Sequence, residues 1–298
     1  MKMKTKFDMI FDIANYTLMG IILFIVVYPI YFVLIASISN PNAVNAGQTL
    51  LLPKKITFEG YVKILEYEQI LLGYRNSIIY TFFGTVVNLI VLIPASFALS
   101  RKELIGKRFF TLMCLFTMYF GGGMIPSYIN IRDLGMMNTI WAIIIPGAFS
   151  VYNMIICRSF FVGNVSEELF ESVRLDGGTY TTFFFRIVLP LSKAIIAVMV
   201  LYHALGHWNS FTNYLYYIQD DSKQNLQMVL RSITDTLTVG SMSEGGNVGN
   251  AQTEASAEEL KELVKYSTIL IAALPMIILY PFVQKYFVQG VMIGSVKG

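Results

Sequence analysis

Charge is what this sequence has least of. It carries 22 Lys and Arg and 19 Asp and Glu in 298 residues, 14% charged against 55% hydrophobic. With a mean hydropathy of +0.59, that balance excludes an ordinary soluble domain and implies an integral membrane protein. Cysteine is nearly absent, and Cys114 and Cys157 both lie in apolar runs. A thiol there behaves as a small buried hydrophobe, which excludes a disulfide framework or a cysteine metal cluster. The two histidines, His203 and His207, are four residues apart with no carboxylate or cysteine nearby, so no metal site is expected. A net charge of +3 leaves no nucleic-acid footprint. A phosphate-binding loop is also missing. The nearest approach, Gly106-Lys107, is followed by Arg108 where Ser or Thr is needed and is preceded by Arg101 where the first glycine belongs. No nucleophile with a base and no paired acids stand out in the apolar runs, so an intramembrane enzyme is not supported.

What is present is a series of apolar runs, each long enough to cross roughly 30 Å of hydrocarbon as a helix. Expected spans are 16–38, 77–99, 109–128, 139–161, 183–205 and 266–287, giving an all-α membrane protein with a six-span domain over 16–288. The first span is too long for a signal-peptide core and is bent at Pro29. The third is interrupted by Gly121-Gly122-Gly123, which at membrane depth requires covering protein or a wet cavity. The fifth starts between Phe183 and Lys193, the later start being cheaper because Arg186 and Lys193 then stay near the interface. A polar external loop, 206–265, follows. It includes a Gly/Ser/Asn/Glu-rich part at 240–257 and a capping-box pair, Ser256 and Glu259, that starts the helix leading into the sixth span. With both termini inside, the inner segments hold 13 of the 22 basic residues and 7 of the 19 acids. The positive-inside rule therefore puts the segments 1–15 and 289–298 and the Arg101–Arg108 loop in the cytoplasm.

The same orientation makes 164–182, between spans four and five, cytoplasmic. There Leu169, Phe170 and Val173 recur at helical spacing, Glu167, Glu168 and Glu171 occupy the first turns, Asn164 or Ser166 can cap, and Gly177-Gly178 stop the helix. A helix lying on lipid would prefer Lys and Arg on its polar face, and this one is acidic. Glu171-Ser172-Val173, three residues, Gly177, nine residues, then Ile187-Val188-Leu189-Pro190 resembles the EAA signature of permease subunits of ABC importers. Ser172 and Val173 depart from its double alanine. The segments Gly122–Pro126, Thr139–Pro146, His207-Trp208-Asn209-Ser210 and Gln284–Gly298 look like the carbohydrate-uptake branch of that family. The chain is most similar there to the second permease of complex-oligosaccharide or polysaccharide-type systems.

The resemblance implies a type I ABC importer transmembrane domain in the bacterial cytoplasmic membrane, paired with a second homologous permease. It further implies two cytoplasmic ATPase subunits that hold ATP and Mg, an external solute-binding lipoprotein, an oligosaccharide substrate, and no cofactor on this chain. Glu168, Glu171, Ser172, Val173, Asp176, Gly177, Gly178, Leu189 and Pro190 would then carry ATPase coupling. Glu171 pairs with the ATPase, braces the turn, or is a solvated charge. Aromatic faces stack on sugar rings while Asn and His give directional hydrogen bonds. His203, His207, Trp208, Asn209, Asn213 and Tyr214, with Asn88, Tyr128 and Asn153, are accordingly the expected substrate pathway. The alternatives for these residues are an interfacial aromatic belt and, for Asn88 and Asn153, bonds to neighbouring helices. Two other functions stay open: a non-transporting membrane scaffold, and an ion-driven carrier, for which Lys193 is the one mid-span ionisable candidate.

Overall fold

The computed structural model describes residues 6–66, 68–243, 264–282 and 284, and among these there are helices, turns and no strand. The expected capping pair Ser256 and Glu259, the tail from 285 onward and most of 240–257 lie outside the described residues. The chain divides into two compact units, 1–68 with 230–274, and 69–229 with 275–298.

In the first unit the 32-residue helix Lys6–Ser37 leaves its apolar side chains exposed over most of its length. It is long and apolar enough to cross a membrane, as is Val264–Phe282. Its buried end, Ile35 to Ser39, is tied down by Tyr61, whose hydroxyl donates to Ser37 Oγ at 2.6 Å. Ser267 Oγ lies 3.4 Å from the Ser37 carbonyl, and the Phe32 and Tyr266 rings meet edge-on.

The second unit is organised on the helix Glu68–Ser100, whose 33 residues extend about 50 Å. Its buried positions include Ile70, Gly73, Ser77, Tyr80, Gly84, Asn88, Leu92, Ser96 and Leu99, a stripe with steps of three and four. Small and polar residues on such a stripe let neighbouring backbone approach closely and offer hydrogen bonds where burial alone drives little. A Cβ at Gly73 would sit 3.1 Å from the Leu226 Cα, and Ser77 accepts the Leu226 N–H at 2.8 Å.

The remaining apolar runs are broken helices. Lys107–Tyr119 and Met124–Asp133 meet at 109° across the expected glycine break, with Gly123 at φ +88°. Within 139–161 the chain departs from one continuous helix. A turn at Ile140–Ile144 stops before Pro146, which has no N–H to donate, and a new helix, Val151–Asn164, starts behind the Ser150 cap. Tyr180–Leu191 and Lys193–Trp208 meet at 79°, so a helix begins at the later of the two expected starts. Before that bend, Phe184–Val188 forms a π turn, with Leu189 N–H reaching the Phe184 carbonyl, just where Pro190 removes a main-chain donor.

The segment after Lys193–Trp208 is more ordered than a polar loop suggests. Helices Thr212–Tyr217 and Leu226–Ser243 follow, with Tyr214, Tyr217, Ile218 and Leu226 buried.

Candidate functional site

The helix Glu167–Leu175 is built as the sequence suggests, and its end is closed by main-chain bonds. Gly178 N–H reaches the Val173 carbonyl at 2.8 Å and Gly177 N–H the Arg174 carbonyl at 3.0 Å, the paired bonds of a Schellman turn. Gly177 stands at φ +78°, a conformation that disfavours any Cβ. Gly178 is required for another reason: a Cβ there would fall 2.5 Å from a Val173 methyl. At the other end Ser166 takes the cap position without a side-chain bond, and Asn164 Nδ2 donates instead to the Phe160 carbonyl.

Phe170 and Val173 face inward. Phe170 stacks on Tyr180 at 4.0 Å and meets Phe183 at 5.2 Å. Phe183 and Phe184 continue to Phe97, which also meets Phe161 edge-on at 5.9 Å. The short helix is thereby one face of a core shared with 68–100, 151–164 and 193–208. Its other face is open: Glu168, Glu171, Ser172 and Asp176 are exposed, and Glu171 forms no ion pair among the described residues. Leu189 and Pro190 lie at the 79° bend, with Leu189 packed against the core and Pro190 exposed. Glu167 pairs with Lys102 at 2.8 Å, and this hydrogen bond holds its carboxyl below the usual carboxylate range.

The expected pathway residues divide into two groups. Asn88 Nδ2 donates to the Gly147 carbonyl at 2.6 Å, satisfying backbone freed by the Pro146 break, and its Oδ1 lies 2.7 Å from His207 Nε2. Asn153 Nδ2 and His203 Nε2 are 3.3 Å apart. Both asparagines therefore bond neighbouring helices. The His207 imidazole packs against the helix backbone at Gly84, where a Cβ would fall 2.5 Å from the ring. Trp208 and Tyr214 are buried, 2% and 0% exposed, against Tyr74 and Tyr80 respectively, so neither offers an open ring face. Asn209 is exposed, Asn213 half-buried, and Tyr128 half-buried with its ring stacked at 6.4 Å on Tyr217. Lys193 is exposed at the first residue of its helix. Among the described residues no three His, Cys, Asp or Glu side chains gather where a metal ion could bind.

Sequence reasoning missed Asn138. It adopts φ +59°, its Oδ1 accepts the Gln219 and Asp220 N–H groups at 2.6 and 3.2 Å, and its own N–H donates to the Tyr217 carbonyl at 2.9 Å. An asparagine flanked by Met137 and Thr139 carries no distinctive motif; only its tolerance of that conformation hints at the role.

The comparisons with known proteins agree with this architecture. The chain is 34% identical over 294 residues to Protein LplC of Bacillus subtilis (strain 168), an alignment covering 99% of this chain and 97% of that one. It is 33% identical over 291 residues to the polygalacturonan/rhamnogalacturonan transport system permease protein YtcP of the same organism, covering 97% and 99%. A crystal structure of a bacterial ABC transporter involved in the import of the acidic polysaccharide alginate includes a chain that superposes with a TM-score of 0.82. That chain is 33% identical, and the match covers 96% of this chain and all of that one. Residues 70–293 match the family model, and the chain belongs to the family described as the binding-protein-dependent transport system inner membrane component.

Proposed function

We propose that this chain is the six-span permease subunit of a bacterial ABC importer that moves an oligosaccharide delivered by an external binding protein. Its partners are a second, homologous permease in a heterodimer, two cytoplasmic ATPases holding ATP and Mg, and a solute-binding lipoprotein. Both termini are cytoplasmic, the 164–182 segment is the coupling loop, and 206–265 is external. The observation that carries this reading is the Glu167–Leu175 helix, with one apolar face built into the core and one acidic face left open behind a glycine-locked turn. A lever needs that division: a face rigidly joined to the spans and a face free for the subunit that pushes. Closure of the ATPases would press on Glu168, Glu171, Ser172 and Asp176, and the Phe170–Phe183–Phe97 contacts would pass the displacement to the bend at Leu189-Pro190.

The cargo class rests on the names of relatives, which include permeases for polygalacturonan/rhamnogalacturonan and for melibiose, raffinose and stachyose. Of the pathway residues Asn209 has the side chain most open to solute, Asn213, Tyr128, His207 and Asn153 are half-buried, and Trp208, Tyr214, His203 and Asn88 are buried. The complex, co-purified with its binding protein and reconstituted, should show ATPase activity stimulated by one class of oligosaccharide. Gly177→Ile should abolish that stimulation with the complex still assembled, because a β-branched residue resists φ +78°. Unchanged coupling in that variant would overturn the assignment of the turn.

A further inference from the structure

A basic cleft of about 310 Å³ opens beside the coupling helix, where the ends of 68–100, 107–119 and 151–164 meet. Three cations converge there. Arg158 Nε donates to the Leu99 carbonyl at 3.0 Å, Lys107 Nζ to the Ser100 carbonyl at 3.3 Å, and Arg101 Nη2 to the Val165 carbonyl at 3.3 Å. Lys107 lies within electrostatic range of both Arg158 and Arg101. Among the described residues none of the three has a carboxylate within ion-pairing distance. Two acids also line the cleft: Glu167, paired with Lys102, and Glu103, whose charge acts on both Arg101 and Lys107. The carbonyls that end the 68–100 helix supply about half a unit of negative charge. Four basic and two acidic side chains line this half-enclosed cleft, so a net positive charge of two stands against that helix-end charge, with free N–H groups on both guanidinium planes suited to phosphate oxygens.

The rim shows which anion. Ile105, in the same loop as Arg101, Lys102 and Glu103, is 92% exposed, and Val162, in the lining of the cleft, is 58% exposed. Apolar side chains around a soluble-anion site would face water at a cost, whereas at a membrane edge they enter the boundary between headgroups and acyl chains. We infer that this cleft binds the phosphate of an anionic phospholipid headgroup, with Arg101, Lys107 and Arg158 as its ligands and Ile105 and Val162 seated in the acyl boundary. The site would place a cytoplasmic-leaflet lipid directly against the coupling helix, through Val165, Ser166 and Glu167. This rests on the proposed cytoplasmic placement of the cleft, yet it is read out by lipid retention, which is independent of sugar-stimulated ATPase.

The test uses the assembled importer exchanged into mixed micelles of phosphatidylglycerol and phosphatidylcholine, washed, and analysed for retained lipid by mass spectrometry. The wild-type complex should retain phosphatidylglycerol about tenfold over phosphatidylcholine. Lys107→Gln should lower that preference about fivefold, the change that one juxtamembrane charge confers, and Lys107→Gln with Arg158→Gln should erase it. Lys223→Gln, on the opposite end of the unit, should leave it unchanged. Assembly of each variant is scored by size exclusion, and Arg158→Lys, which keeps charge and a donor, should restore most of the preference. Equal retention of both lipids by the wild type, or full preference in the Lys107 variant, would overturn the inference. Displacement of the lipid by millimolar inorganic phosphate would overturn it in favour of a soluble anion. Retention by the permease pair that vanishes on ATPase binding would overturn it in favour of partner carboxylates.

Discussion

The two ends of the 69–229 unit are held together by different physics. At the end that carries Glu167–Leu175 an aromatic core lies behind the basic side chains: Phe97, Phe161, Phe170, Phe183 and Phe184 pack in sequence, and Gly177 and Gly178 shape the turn. At the opposite end the chain is stitched by asparagine and tyrosine to main-chain groups. Asn76 donates to the Ser222 and Gln224 carbonyls at 2.8 and 2.9 Å, Tyr80 to the Lys223 carbonyl at 3.0 Å, and Asn225 to the Ser210 carbonyl at 2.6 Å. Interlocked rings resist displacement collectively and transmit a push, since a packed core is bistable rather than continuously deformable. Directional bonds to turns instead fix the path of an irregular backbone.

Breaking one ring contact should therefore cost more than breaking one stitch. Phe170→Ala removes a ring stacked at 4.0 Å on Tyr180 and should destabilise this end by about 3 kcal/mol. Faster hydrogen exchange across 166–180 and loss of sugar-stimulated ATPase would report it, and unchanged exchange there would refute a rigid lever. At the other end Asn138→Ala deletes the acceptor for two N–H groups and forces an alanine to φ +59°, for about 1–2 kcal/mol. Asn138→Gly should recover the conformational part and leave the hydrogen-bond loss. Thermal unfolding of the three proteins separates the two, and equal midpoints for the Ala and Gly variants would show that conformation contributes nothing.

Much of the helix and turn over 164–182 was legible because its determinants are local. Apolar spacing in Leu169, Phe170 and Val173, acids in the first turn and a glycine pair are written within a dozen residues, and the glycine break at 121–123 is equally direct. What was not legible depends on partners distant in sequence. The Pro146 break is tolerated because Asn88, 59 residues away, caps the freed carbonyl of Gly147. Composition places Trp208 and Tyr214 beside other aromatic residues but not behind Tyr74 and Tyr80, which cover them. A polar run such as 206–229 reads as a loop until its asparagines and tyrosines are seen to satisfy backbone elsewhere. In sequence the basic residues of 101–108 carry a topology signal; the convergence of Arg101, Lys102 and Lys107 with Arg158 is a tertiary fact.

The smallest effect distinguishes the two ends electrostatically. Glu167 at one end and Asp220 at the other both have depressed carboxyl pKa values, the first chiefly through a hydrogen bond from the Lys102 ammonium, the second chiefly through the Ser222 hydroxyl and N–H, with the Lys223 ammonium at 3.3 Å a lesser cause. A depressed carboxylate contributes stability that is present above its unfolded pKa, near 4, and is lost as pH falls through the lower folded value. Thermal midpoints should accordingly be flat from about pH 5 to 8 and fall below that. Both groups are exposed, so each contribution is slight. Lys102, raised by the same pair, adds a matching loss only in strong alkali. Salt separates them: at about 1 M the Debye length is roughly 3 Å, which screens an exposed ion pair but leaves an oxygen-to-N–H bond in place. Lys102→Met should therefore reduce the acid-limb slope at low salt and leave it unaltered at high salt, whereas Ser222→Ala should reduce it at both. A Lys102 effect that persists in high salt would mean that the pair is gripped by the cleft beside it.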